Sequence, residues 1–170
     1  ILELYRSVIN EGVSLFGSFA VLLEFRRRGL MLGTCKIVDF SIKDEYKHVE
    51  GLTWLLNQLR SEKEVYPPTI QKVVAMANEA VQLEIKFLDY LFGENKVKHE
   101  YIEYVSYLAG KRLADLGIQN NFFPKVDPAP WIYSSVFGVD FTNFFESRVS
   151  EYTKGALKGS FNYDFLRDEK

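Results

Sequence analysis

The sequence predicts an all-α protein, a helical bundle, on three observations. Apolar residues recur at spacings of three and four over long stretches, no strand-like alternation is sustained, and Gly or Pro stands where each periodic stretch runs out. Leu4, Val8, Glu11, Leu15 and Phe19 set the first period, which predicts one long helix from Ile1 to about Arg28. Gly29 follows the basic triplet Arg26-Arg27-Arg28 as its C-cap, and those cations complement the helix dipole. After the connector Leu30–Gly33, a second long helix is expected from Thr34 to Leu59 or Arg60, antiparallel to the first. Pro67-Pro68 marks a loop. Ile70 to Phe92 reads as a third helix ending at Gly93, and Lys96 to Leu116 as a fourth closed by Gly117. Pro124, Pro128 and Pro130 make the next stretch irregular until Trp131 opens a short helical or extended piece. A last short helix is expected beyond Asn143, weakened by Gly155 and Gly159. The expected division is a bundle over 1–143 and a tail over 144–170.

Composition narrows the function. With 170 residues, 47% hydrophobic and 26% charged, the chain has the make-up of one globular domain. A net charge of −2 supplies no field for gripping nucleic acid, which is not an expected partner. The single cysteine, Cys35, excludes an internal disulfide and suits a reducing compartment, so the cytoplasm is the expected location. No apolar run approaches the roughly 20 residues of a membrane span, and no signal segment opens the chain, so no membrane association is expected. Helical periodicity is already running at Ile1, which suggests a fragment or one product of a split gene.

Glu45 and His48 form a Glu-x-x-His pair, and three residues apart on a helix places a carboxylate and an imidazole on one face. Glu11 lies on the preceding helix. At about 1.5 Å rise per residue, Glu11 sits roughly 26 Å before Arg28 and Glu45 roughly 17 Å beyond Thr34, so the heights agree within one or two turns. A lone inward Glu on one helix beside Glu-x-x-His on its neighbour is half the ligand set of a di-metal carboxylate bundle. Leu15 and Phe19 extend the stripe of Glu11, and Ile42, Tyr46, Leu52 and Leu55 surround His48, so both ligands are expected on mostly buried faces. An Arg or Lys from another helix is the competing partner for Glu11. Asp44 is placed to accept a hydrogen bond from the outer nitrogen of a metal-bound imidazole, or else to be a solvated carboxylate beside Lys43 and Lys47. His99, among charges at a helix start, is expected to be an exposed surface histidine.

Four blocks carry a resemblance: Glu11-Gly-Val-Ser-Leu-Phe-Gly-Ser-Phe19, Arg28-Gly-Leu-Met31, Lys43-Asp-Glu-Tyr-Lys-His48 and Asp127-Pro-Ala-Pro-Trp131. In order and spacing the chain resembles the C-terminal half of the small, radical-generating subunit of class I ribonucleotide reductase, a ferritin-like di-metal carboxylate family. The resemblance implies that Glu11, Glu45 and His48 are metal ligands, that Asp44 belongs to the radical-transfer route, and that Leu15 and Phe19 line an apolar pocket beside the metal. Leu15 stands where many members carry Phe. It implies two iron ions, or manganese or a mixed manganese–iron pair, complete only with the family's earlier Asp and Glu-x-x-His ligands, which lie upstream of Ile1. The implied partners are the N-terminal half of the small subunit, the large subunit where ribonucleotides are reduced, and a second copy of the completed small subunit. An uncovered apolar face is expected where the absent helices belong.

The tail block Phe144-Phe-Glu-Ser-Arg-Val-Ser-Glu-Tyr152-Thr-Lys-Gly also resembles the family, with Tyr152 matching the tyrosine that relays the radical between subunits. Phe161, Phe165 and Leu166 are apolar anchors on an otherwise polar segment, a composition that folds on binding, and they are the expected docking residues for the large subunit. Two other functions compete: a non-catalytic helical module that binds a partner through its aromatic tail, and a fragment of a ferritin-like di-metal oxidase. Tyr152 argues against the oxidase, which needs no relay. If a phage encodes the chain, the cytoplasm is that of its host.

Overall fold

The computed structural model describes residues 1–61, 69–119 and 123–138. Six helices follow one another: α1 Leu2–Val13, α2 Phe16–Arg27, α3 Leu32–Ser61, α4 Ile70–Phe92, α5 Lys98–Asp115 and α6 Pro130–Phe137. No strand occurs among the described residues, as the periodicity requires. The tail, with Tyr152, Phe161, Phe165 and Leu166, lies outside the described residues, as does the expected last helix.

The glycine stops act as the sequence indicates. Gly29 adopts φ +68°, its N–H bonds to the Arg26 carbonyl, and the Leu30 N–H reaches back to Phe25. This paired pattern is a Schellman motif, and the left-handed backbone is open to glycine without the usual Cβ penalty. Gly117 closes α5 the same way: φ is +74°, its N–H bonds to Ala114, and the Ile118 N–H bonds to Leu113. Ile118 and Leu113 also share one apolar cluster, the hydrophobic contact that accompanies such caps. Between α4 and α5, Lys98 Nζ donates to both Asp89 and the Gly93 carbonyl at 2.7 Å. Before α6, Asp127 Oδ1 accepts the Ala129 N–H at 2.8 Å, turning the chain so that Pro130 can open the helix.

One expected element is corrected. The single helix from Ile1 to Arg28 is broken at Ser14–Leu15, where Leu15 takes φ +71° in the left-handed region. The cause is distant in sequence: Glu84 on α4 accepts the Leu15 N–H at 3.1 Å and the Gly17 N–H at 3.0 Å, replacing two intrahelical bonds. Taken as one arm, Leu2–Arg27 is also long and apolar enough by composition to cross a membrane, although charged residues interrupt its apolar runs. Its apolar residues Val8, Ile9, Val13, Phe16, Ala20 and Leu23 are all buried in the bundle, which accounts for that composition.

The α2–α3 pair is antiparallel: near the connector Cys35 Sγ donates to the Leu22 carbonyl at 3.4 Å, and farther from it the Phe16 and Tyr46 rings meet edge-on at 5.7 Å. Two apolar clusters fill the interior. One joins α1, the second half of α3, α4 and the end of α5 through residues such as Val8, Leu56, Ala77 and Leu113. The other joins α2, the start of α3, α5 and α6 through Phe16, Leu23, Ile42, Tyr101 and Ile132. The break at Ser14–Leu15 falls between them. Ile37, Phe40 and Trp54 on α3 and Leu83, Phe87 and Tyr90 on α4 stand exposed, so the described residues do carry uncovered apolar surface.

Candidate metal centre

α1 delivers Glu11 and α3 delivers Glu45 and His48 to one place. His48 Nδ1 lies 3.4 Å from Glu45 Oε2 and 3.6 Å from Glu11 Oε2. One donor atom from each of the three residues falls within 4.8 Å of the others. On α3 this follows from spacing alone, since residues 45 and 48 share a face. Between helices it follows from the packing of α1 on α3, in which the heights of Glu11 and Glu45 coincide. Against the competing reading of Glu11 as an ion pair with Arg or Lys, the partner seen among the described residues is His48.

The cluster is more open than the sequence suggests. The His48 side chain is 59% exposed, Glu11 35% and Glu45 26%, so the expectation of buried ligand faces is corrected. Residues 11, 45 and 48 sit on the side of α1 and α3 away from the core, and the apolar neighbours that implied burial divide between two sides. Leu15 is turned outward by the break and is exposed, whereas Phe19 is half-buried against Phe16 at a ring separation of 5.6 Å. The two therefore do not continue one stripe. Asp44 is exposed and makes no hydrogen bond to the His48 ring among the described residues; the ring's polar contacts are with Glu45 and Glu11. His99 is exposed, as expected.

Two charged residues that sequence reasoning did not single out lie behind the cluster. Arg112 of α5 is buried, bonds Asp115 at 2.9 Å, and places its guanidinium 5.3 Å from the centre of the Tyr46 ring. Its stem crosses α1 at Gly12, where an added Cβ would stand 2.5 Å from Arg112 Cδ. Glu84 of α4 is buried against Gly17, where an added Cβ would meet its Oε2 at 2.5 Å. Burial pushes the Glu84 carboxyl up from the ordinary range, and the two backbone N–H donors oppose that shift. The available signal was Gly12 and Gly17 themselves: glycine inside a helical pattern, at a cost of about 1 kcal/mol relative to alanine, marks a close approach. Tyr46, between the two α3 ligands in sequence, packs edge-on to Phe16 and Phe137 and pins α3 to α2 and α6. Burial raises its phenol, with Arg112 acting against the shift.

Residues 2–129 match the family model described as ribonucleotide reductase, small chain. The chain is 32% identical over 160 residues to a probable ribonucleoside-diphosphate reductase small subunit of Invertebrate iridescent virus 3, covering 90% of this chain and 43% of that relative. It is 30% identical over 156 residues to the ribonucleoside-diphosphate reductase subunit beta of Chlamydia pneumoniae, covering 88% of this chain and 45% of the other. In structure it is similar to a putative class I ribonucleotide reductase from Bacillus halodurans, with a TM-score of 0.59, 24% identity, and coverage of 76% of this chain and 41% of that one. The structural likeness bears on the fold, and the chain spans about half the length of the relatives it matches.

Proposed function

Because the chain belongs to the ribonucleotide reductase small-chain family, we propose that it is the C-terminal portion of a ribonucleoside-diphosphate reductase small subunit and supplies half of that subunit's di-metal site. The observation that carries this reading is the convergence of Glu11, Glu45 and His48 within 4.8 Å across two helices. Two carboxylates and one imidazole suit a hard divalent ion of the iron or manganese type, so the donor set fits the group that the family implies. Three donors hold one ion weakly; the remaining ligands come from the N-terminal half of the small subunit.

In this reading Glu11 and Glu45 bring the negative charge that offsets the ions, and His48 supplies the nitrogen donor. Their partial exposure leaves room for ligands from another helix. When bound, the di-metal group supplies an oxidising equivalent that leaves as a radical for ribonucleotide reduction in the large subunit. Asp44, next to Glu45, has its place on the path of that radical, and Tyr152 relays it between subunits. Leu15 and Phe19 form apolar wall near the ions, and Phe161, Phe165 and Leu166 dock the large subunit. The completed small subunit pairs with a second copy, and the setting is the cytoplasm.

The test measures iron and manganese bound by the chain alone and by the chain mixed with the N-terminal half, followed by electron paramagnetic resonance. We expect tight, stoichiometric metal and a radical signal only in the mixture, both abolished by Glu45→Ala or His48→Ala. Association of the two halves with no dependence on metal would instead make the chain a docking module.

A further inference from the structure

We propose that Glu84 is a positioning residue for the metal cluster: by capturing the backbone of the α1–α2 break, it sets where α1 ends and thereby holds Glu11 against His48. This rests on the reading of Glu11, Glu45 and His48 as metal ligands.

Two helical hydrogen bonds are missing at the break. In an unbroken helix each N–H bonds to the carbonyl four residues earlier, so the Leu15 N–H would bond to the carbonyl of Glu11 and the Gly17 N–H to that of Val13. Both amides are instead held by one carboxylate, Glu84 Oε1 at 3.1 Å and Oε2 at 3.0 Å. The residue that loses a helical partner to Glu84 is thus the candidate ligand itself. Freed from that bond, Leu15 enters the left-handed region at φ +71°, where a bulky residue is strained. Such a conformation persists only where its surroundings impose it.

Glu84 is built for that task and has no other recorded one. It is 8% exposed, and its polar contacts among the described residues are these two amides. A buried carboxylate without a counter-charge is costly unless hydrogen bonds satisfy it, and the break provides them. Gly17 leaves the space in which Oε2 sits. The Arg112 stem lies against Gly12, next in sequence to Glu11. The end of α1 is therefore held by α5 at residue 12, and the break that follows it by α4 at residues 15 and 17. Glu11 occupies the turn between those grips and the start of α1, facing α3.

The experiment compares the full chain with Glu84→Gln and Glu84→Ala, using Leu88→Ala as a control, a substitution of another buried α4 residue one turn on. Glutamine keeps the size and replaces one acceptor with a donor that repels an amide, so it serves where the alanine variant fails to fold. Three readouts are taken: amide hydrogen exchange at Leu15 and Gly17, the nuclear Overhauser contact between the Glu11 and His48 side chains without metal, and Mn²⁺ affinity by electron paramagnetic resonance. In the Glu84 variants we expect faster exchange at both amides, loss of the Glu11–His48 contact, and Mn²⁺ affinity lower by about tenfold or more, the usual scale for groups that support ligands. Leu88→Ala lowers stability and leaves the contact and the affinity unchanged. Faster exchange with both of those intact in the Glu84 variants overturns the proposal. If the unaltered chain takes up no Mn²⁺ even when mixed with the N-terminal half, the metal reading fails, and the Glu11–His48 contact alone then decides whether Glu84 positions Glu11.

Discussion

Arg26 Nη2 donates to Asp39 Oδ2 at 2.6 Å, while Nη1 of the same guanidinium donates to the Ser135 carbonyl at 2.9 Å. One side chain from the last turn of α2 thus fastens both α3 and α6. The pair is mostly buried, at 23% and 10% side-chain exposure, and lies far from the surface ion pairs whose worth is near zero.

Removing one partner leaves the other charge enclosed. Asp39→Ala is expected to lower stability by roughly 2–3 kcal/mol, somewhat below the value for a fully buried pair because Arg26 retains some solvent and its bond to Ser135. Urea unfolding checks this, and a loss below about 0.5 kcal/mol would show that solvent already carries the charge.

Two glycines on helices should respond with opposite sign. At Gly12 an added Cβ meets the Arg112 stem at 2.5 Å, so Gly12→Ala is expected to destabilise by about 1–3 kcal/mol through overpacking. At Gly51, in the middle of α3, nothing lies within 4 Å of an added Cβ. Gly51→Ala is expected to stabilise by about 0.4–1 kcal/mol through the unfolded chain and helix propensity. Thermal melting of the two variants side by side checks both directions.

Alkaline pH should expose Tyr101. Its hydroxyl is buried beside the Glu24 carboxylate, and burial, with the nearby Glu24 and Glu100 charges, pushes its phenol up to about 12. An acid held protonated by the fold adds stability that is present below the ordinary tyrosine range near 10 and is lost as pH rises through the folded value. Stability is therefore expected to fall between about pH 10 and 12. Tyr101→Phe should reduce that fall relative to its stability at pH 7, because it removes the group that titrates. Denaturant titrations at pH 7 and above 10 measure both.

What could be read in the sequence was local or set by simple geometry. Gly29 and Gly117 stop α2 and α5 because a left-handed cap depends on the residue at that position, and α4 begins and ends where Ile70 and Gly93 indicate. The meeting of Glu11 with Glu45 and His48 could be anticipated because helical rise is constant. The break at Ser14–Leu15 could not. Ser-Leu-Phe is compatible with a helix, and what interrupts it is a carboxylate 69 residues further along the chain. The same break separates the stripe of Glu11, Leu15 and Phe19, which requires one helical phase, because the phase changes between Val13 and Phe16.

The interior has two apolar centres, on either side of the Ser14–Leu15 break and joined by the long rods α3 and α5. Loosening of either centre need not melt the other, so the molecule has the makings of two cooperative units within one bundle. Glu11 and the Glu45–His48 pair stand close to the seam. A disturbance that begins among α2 and α6 can therefore reach the candidate ligands while the α1–α4 contacts survive, separating loss of metal-binding geometry from global denaturation.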